Sequence, residues 1–208
     1  MSNLVYIATS IDGYISAPGG GLEWLNYIPA PEGDDLGFAE FMGKVDAVVM
    51  GRVTFETVVG FGAGWPYPIP GLILSSTLGS APQDFADHVD FASGSPTEIV
   101  EIAKNKGFEN LYVDGGKTIQ NFLRSDLIDE LIISEIPLLL GGGDQLFGSL
   151  DQRLDFELIG TEVLLNQIVQ KRLRRKPIEL VKIYEHQVRP YGLDLYSGSY
   201  SVGSGKPC

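Results

Sequence analysis

"AVVMGRVTFE", residues 47–56, decides the reading of this chain. Four apolar residues run into Gly51-Arg52, and "RVTFETVV" (52–59) then follows a helical pattern. A buried strand therefore ends on a bare backbone and a cation where a helix begins. The first turn of a helix presents free N–H groups and the positive end of the peptide dipole, a ready place for an anion. Arg52 adds a planar fork of donors. The plain alternative is a strand-to-helix turn carrying a surface Arg.

The same alternation extends along the chain. Strand-like runs stand at 4–8, 71–75, 89–92, 110–114 and 130–136, with helical patterns at 35–45, 96–106 and 117–125. The helix at 96–106 is the clearest, with Thr97 as its expected cap and Ile99, Ile102 and Ala103 on one face. Short apolar strands alternating with helices predict an α/β fold, a mainly parallel sheet covered on both faces. Residues 155–175 change the pattern: two strand-like runs with a turn near Asn166 and no helix between them. They predict an antiparallel hairpin closing the sheet, for eight strands in all. The basic run "KRLRRK" (171–176) reads as an edge strand guarded by charge, with a phosphate-contact patch as the alternative.

With 208 residues, the chain fits one domain with an appendage. Residues 187–208 turn abruptly to Gly, Ser and Tyr, so the expected division is a domain at 1–180 and an extension at 181–208. "GSGK" (203–206) is not a phosphate loop, since no Ser or Thr follows Lys206. A net charge of −12 disfavours nucleic acid and anionic membrane as partners. No apolar run approaches membrane-spanning length, and no basic region precedes a hydrophobic core at the N-terminus. The single cysteine, Cys208, rules out a disulfide framework and suits a reducing cytoplasm, the expected location. Two histidines, His88 and His186, are too few for a zinc site.

Two further strand ends resemble the first in kind. "LILSST" (72–77) ends on Ser75 and Ser76, which would either bind a phosphate or cap a turn. "YVDGGKTIQNFL" (112–123) offers Gly115 and Gly116 for close backbone approach where a helix begins, with Lys117 and Thr118 as donors. In a parallel sheet all three lie on the C-terminal edge, where open α/β sheets bind ligands. The edge suits a dinucleotide, yet the Rossmann fingerprint is missing. "GFGAGW" (60–65) neither follows the first strand nor opens a helix.

Taken in order, "YIATSIDGYIS", "DDLGFAEFMGKVDAVVMGRVTFE", "LILSST", "VDGGKTIQNFL" and "IPLLLGGGDQLF" resemble the dihydrofolate reductase superfamily. In particular they are similar to the reductase domain of bifunctional riboflavin-biosynthesis deaminase-reductases and its stand-alone bacterial relatives. The likeness spans about residues 3 to 176 and rests on M-G-R-x-T-F-E together with P-x-x-x-G-x-G-x-x-L-F from Pro137 to Phe147. It implies a three-layer fold around an eight-stranded sheet, and NADPH as hydride donor. It further implies that Gly51, Arg52 and Thr54, with Gly115, Gly116, Lys117 and Thr118, hold the pyrophosphate. Leu74, Ser75 and Ser76 would lie by the adenosine and its 2′-phosphate, and Ala8 by the nicotinamide.

For the substrate, the resemblance implies Asp12, Gly13 and Trp24, with Asp35 as the carboxylate that assists protonation and Asp34 as its substitute. Asp35 also reads as a helix cap, and Asp12 as a turn residue. The expected activity is NADPH-dependent reduction of a C=N or C=O bond in a small heterocycle or carbonyl sugar, with the ribosylaminopyrimidine intermediate of riboflavin biosynthesis as the first alternative within the family. Dihydrofolate reduction and a non-catalytic NADPH-binding module are the alternatives. No Lys or Arg occurs from Val53 to Ala103. The arginine that clamps the glutamate tail of folate is therefore missing, which counts against folate and weakens phosphoribosyl docking on that side. A homodimer is expected, as in the relatives.

Overall fold

Alternating apolar side chains build the centre of the molecule. A computed structural model of the chain describes residues 1–176. The boundary at 180, the extension 181–208, His186, the "GSGK" run and Cys208 lie outside the described residues. The strands are β1 (Ser2–Ser10), β2 (Tyr14–Ser16), β3 (Ala47–Gly51), β4 (Gly71–Leu74) and β5 (Val89–Ala92). They continue with β6 (Asn110–Asp114), β7 (Glu130–Ile136), β8 (Asp144–Gln145), β9 (Phe156–Leu164) and β10 (Ile168–Arg175). The helices are α1 (Phe38–Met42), α2 (Arg52–Gly60), α3 (Pro96–Asn105) and α4 (Gly116–Arg124).

Eight strands form one sheet in the order β5-β4-β3-β6-β1-β7-β10-β9, and the first six run parallel. β10 runs antiparallel between β7 and β9. Ala47, Val49, Leu111, Val113, Leu131 and Ile133 point to one face, where α3 and α4 pack through Ile99, Ala103, Ile119 and Phe122. Their neighbours Val48, Met50, Tyr112 and Ile132 point to the other, under Phe41, Met42, Phe55 and Val58 of α1 and α2. The strand period of two thus makes three layers.

Local chemistry moves several boundaries. The cap of α3 is Ser95 rather than Thr97: its hydroxyl accepts from the Glu98 N–H, and the Glu98 carboxylate reaches back to Ser95. Pro96 at the first helical position loses no needed donor. α1 starts later than expected because Leu36 and Gly37 take left-handed φ of 57° and 88°. Asp34 accepts from Leu36 N–H and Asp35 from Gly37 and Ala39 N–H, which closes that turn. In the hairpin, Leu165 and Asn166 both have positive φ, and Gln167 N–H closes onto the Leu164 carbonyl. That is the turn whose twist matches two antiparallel strands.

The basic run is not an edge. β10 is internal, β9 is the edge, and the cations pair with carboxylates on and before β7. Lys171 meets Glu135 at 2.9 Å, Arg172 meets Glu130 at 3.1 Å and Arg175 meets Asp126 at 2.6 Å. β2 and β8 form a small separate ribbon that the sequence pattern did not announce. There Gly143, at φ 120°, lies against the Ser16 carbonyl so closely that a Cβ would stand 1.8 Å from it. Among the described residues no helix is long and apolar enough to cross a membrane, and no cluster of His, Cys, Asp and Glu could hold a metal.

Candidate active site

Two helices start side by side on the C-terminal edge of the sheet. β3 ends at Gly51 and runs into α2, and β6 ends at Asp114 and reaches α4 through Gly115. Neither Gly51 nor Gly115 brings a capping side chain, so the first-turn N–H groups of both helices stay open. The two starts touch. A Cβ on Gly115, whose φ is 85°, would stand 2.1 Å from Thr54 Oγ1, and one on Gly51 would stand 3.1 Å from Thr118 Oγ1. Four of the seven residues expected around the pyrophosphate, Gly51, Thr54, Gly115 and Thr118, are therefore one packed unit, and a side chain at Gly51 or Gly115 would displace its neighbour.

The neighbouring strands continue this line. Gly51 is in register with Leu74, and Met50 with both Ile73 and Asp114. Ser75 follows at the end of β4. Its Oγ accepts from the N–H groups of Thr77 and Leu78, so it closes a turn, as in the plainer of its two readings. Its O–H remains a donor, and Ser76 is exposed beside it. Arg52 is exposed and bound to Glu56, one helical turn on, at 2.7 Å. Lys117 is exposed and has no ion-pair partner among the described residues.

Between β6 and β1 the ladder opens. Its pairs run only from Ser2–Asn110 to Leu4–Tyr112, although β1 continues to Ser10 and β6 to Asp114. The Tyr112 hydroxyl donates to the Tyr6 carbonyl at 3.1 Å across this gap. Ala8, expected at the nicotinamide, follows on β1 and is in register with Ser134 of β7. Trp24, in the loop after β2, is buried in a cluster with Ile28, Ile136 and Ile168, against which Ala8 packs. Its indole N–H is buried without an acceptor among the described residues.

Two of the expected substrate residues are engaged with their own loops. The Asp12 carboxylate accepts from Leu140 N–H at 3.1 Å and Gly141 N–H at 2.8 Å. The Ser10 hydroxyl, aided by these N–H groups, holds its pKa below the ordinary carboxylate range. The Gly13 carbonyl accepts from Leu146 N–H. Asp12 and Gly13 thus tie the β1–β2 turn to the glycine-rich loop after β7. Asp35 is exposed and gives both oxygens to backbone N–H groups at the start of α1.

Asp114 was not singled out from the sequence. It ends β6 between Met50 and the gap beside Tyr6, and burial pushes its carboxyl above the usual range. The Gly115 N–H and the hydroxyls of Tyr112 and Tyr67 oppose that rise without cancelling it. Burial in turn raises both of these tyrosines. The signal available in the sequence was a carboxylate at a strand's C-terminal end, directly before Gly-Gly.

The sequence model of the RibD C-terminal domain matches residues 77–170. The uncharacterized protein YwjB of Bacillus subtilis is 33% identical over 160 residues, covering 76% of this chain and 90% of YwjB. The chain belongs to the RibD C-terminal domain family. A crystal structure of a candidate riboflavin biosynthesis protein from Shewanella sp. PV-4 superposes with a TM-score of 0.82 at 46% identity. It covers 85% of this chain and 100% of its own. The Thermotoga maritima diaminohydroxyphosphoribosylaminopyrimidine deaminase/5-amino-6-(5-phosphoribosylamino)uracil reductase superposes with a TM-score of 0.62 at 16% identity. It covers 84% of this chain and 56% of its own, a likeness of fold. The eight-stranded sheet with its antiparallel closing pair is thus the dihydrofolate-reductase-like fold of the RibD reductases, as the motifs implied.

Proposed function

We propose that this chain is an NADPH-dependent reductase acting on a small nitrogen heterocycle related to ribosylaminopyrimidines. The observation that carries the reading is the pair of open helix starts, α2 and α4, in contact beside the place where β1 and β6 part. Two helix N-termini supply N–H donors and positive potential to a pyrophosphate. Gly51, Arg52, Thr54, Gly115, Gly116, Lys117 and Thr118 would hold it, with Ser75 and Ser76 reaching the 2′-phosphate and Leu74 packing on the adenosine. Membership of the RibD C-terminal domain family, and a fold shared with the Thermotoga maritima deaminase/reductase, support the same activity. The cofactor, when bound, supplies the hydride.

The chain's own part is to orient the two rings and manage one proton. Asp114 suits the proton better than Asp35. It stands at the strand end beside the gap, and burial favours its protonated form at higher pH than for an ordinary carboxylate. Asp35 spends both oxygens on the α1 turn. Trp24 and Ala8 would border the acceptor ring.

The test is titration with NADPH and NADH, followed by cofactor oxidation across a panel of pyrimidine, pterin and carbonyl acceptors. Arg52 is partly neutralised by Glu56, so NADPH should be preferred by roughly ten- to a hundredfold, one charge-assisted hydrogen bond. No binding of either cofactor would overturn the reading. Tight binding without turnover on any acceptor would leave the non-catalytic module.

A further inference from the structure

We infer that the acceptor reduced by this chain is an uncharged nitrogen heterocycle, as free base or nucleoside, and carries no phosphate. The inference rests on the reductase reading above and adds the class of its substrate. It comes from a groove of about 350 Å³ between α1 and the β1–β7–β10–β9 half of the sheet. That volume lies at the small end of ligand sites, ~300–1,000 Å³. Leu36 and Leu164 line the groove and also join the cluster of Ala8 and Trp24, so it continues from the place where the hydride would be delivered.

The charged lining decides against a phosphate. Asp34, Glu40 and Glu162 face two cations, Lys44 and Arg172. Lys44 is paired with Glu40 at 2.5 Å, and Arg172 with Glu130 at 3.1 Å. A phosphomonoester would have to compete with Glu40 and Glu130 for these cations and still meet the carboxylates at short range, in a chain of net charge −12. Residues 53–103 contain no Lys or Arg, so the β4–β5 side offers no compensating cation, and Arg52 at the start of α2 is tied to Glu56.

The uncharged lining matches a heterocycle edge instead. Gln170 is nine-tenths buried, and its amide donates to Ser134 Oγ at 3.1 Å and to the Tyr6 hydroxyl at 3.4 Å. The Tyr6 hydroxyl donates to the Leu36 carbonyl at 2.7 Å, which fixes the roof of the groove to its floor. Arg172 Nε is a buried donor without an acceptor among the described residues. One carbonyl oxygen on a neutral ring, reaching it as the side chains that cover it shift, would satisfy it without disturbing the Glu130 pair. Buried polar groups that gain partners only with the right ligand discriminate strongly.

The experiment compares 5-amino-6-(ribosylamino)uracil with its 5′-phosphate, by NADPH oxidation and by calorimetric titration of the protein with each compound. The phosphate-free compound should be favoured by about tenfold or more in kcat/KM and in affinity. In Glu40→Gln/Glu162→Gln the difference should shrink, because Lys44 is released and two negative charges are removed. Equal or better use of the phosphate form, or calorimetric binding of neither compound, would overturn the inference. Binding of the phosphate-free compound by a protein that binds no NADPH would sink the reductase reading while leaving the groove's preference standing.

Discussion

Replacing Gly115 by alanine should be costly, and the cost should depend on Thr54. At φ 85° and ψ 135° Gly115 sits near a region that only glycine occupies freely, where another residue loses ~1–3 kcal/mol. The new methyl would also stand 2.1 Å from Thr54 Oγ1 and 3.2 Å from its Cβ, and overpacking of this kind adds ~1–3 kcal/mol. Together these reach ~2–6 kcal/mol of a total stability on the order of 5–15 kcal/mol. Rotating Thr54 brings only partial relief, because its Cβ stays 3.2 Å from the new methyl whatever its χ1. Thr54→Ala removes both branches, so it should recover the overpacking share and leave the backbone share. A double-mutant cycle of Gly115→Ala and Thr54→Ala, read by urea unfolding, should give a coupling of ~1–3 kcal/mol. NADPH affinity should fall in Gly115→Ala and return in part in the double variant, as the spacing of α2 and α4 is restored. A coupling below ~0.5 kcal/mol, ordinary additivity, would refute the contact between the two helix starts and with it the shared phosphate site.

Arg52→Ala should weaken NADPH binding with little change in melting temperature, since its exposed pair with Glu56 contributes ~0.3–0.5 kcal/mol at most; a collapsed melting temperature would make Arg52 structural. Asp114→Asn should lower turnover by ~10²–10⁴-fold with NADPH affinity nearly kept, whereas Asp35→Asn should keep turnover and folding, because Asn also caps. The reverse order of losses would return the proton to Asp35. Asp114→Asn should also be the more stable protein at neutral pH. The folded state holds the Asp114 proton more tightly than the unfolded one, so stability falls as pH rises from the ordinary carboxylate range through the raised pKa. The advantage of the Asn variant should vanish below that range, as urea unfolding against pH will report. A homodimer is expected in light scattering, because Leu139, Leu158 and Val163 are all more than half exposed; a monomeric mass at micromolar concentration would refute it.

Much of this fold was legible because its strands are buried on both faces. Ala47–Gly51 and Asn110–Asp114 read as apolar runs, and their two-residue alternation separates the α3–α4 core from the α1–α2 core. The open helix starts were legible for a related reason, since glycine directly after a buried strand has few other uses. Features made by distant partners were not. The β2–β8 ribbon depends on Gly143 reaching Ser16 across more than a hundred residues of chain. Asp114 meets the hydroxyls of Tyr67 and Tyr112, and no local pattern states that the loop after α2 brings Tyr67 over β6. The charges of β10 suggested an edge because their carboxylate partners, Glu130 and Glu135, belong to a strand some forty residues earlier. The start of α1 was misjudged where Asp34 and Asp35 turned inward to their own backbone.

The helix starts on this edge contain their own control. α3 follows β5 as α2 follows β3 and α4 follows β6, yet Ser95 and Glu98 close its N-terminus with a full capping box. α2 and α4 have only Gly51 and Gly115 in the capping place, and each forgoes the few tenths of a kcal/mol, roughly, by which a Ser or Asp cap exceeds glycine. On the proposed reading, a chain with net charge −12 has few side-chain cations to spend on a phosphate, and here Arg52 is already tied to Glu56. Its positive potential must come mainly from oriented backbone, roughly half a charge at each helix start. A capping carboxylate or hydroxyl would consume those same donors. Leaving two of three starts open, and packing them against each other through Thr54 and Thr118, places two half-charges where one phosphate pair can meet both. The groove under α1 has no such arrangement, and its cations are bound to neighbouring carboxylates. On the proposed reading, anionic recognition belongs to the uncapped helix starts at the cofactor end, and neutral recognition to the groove whose cations are already paired.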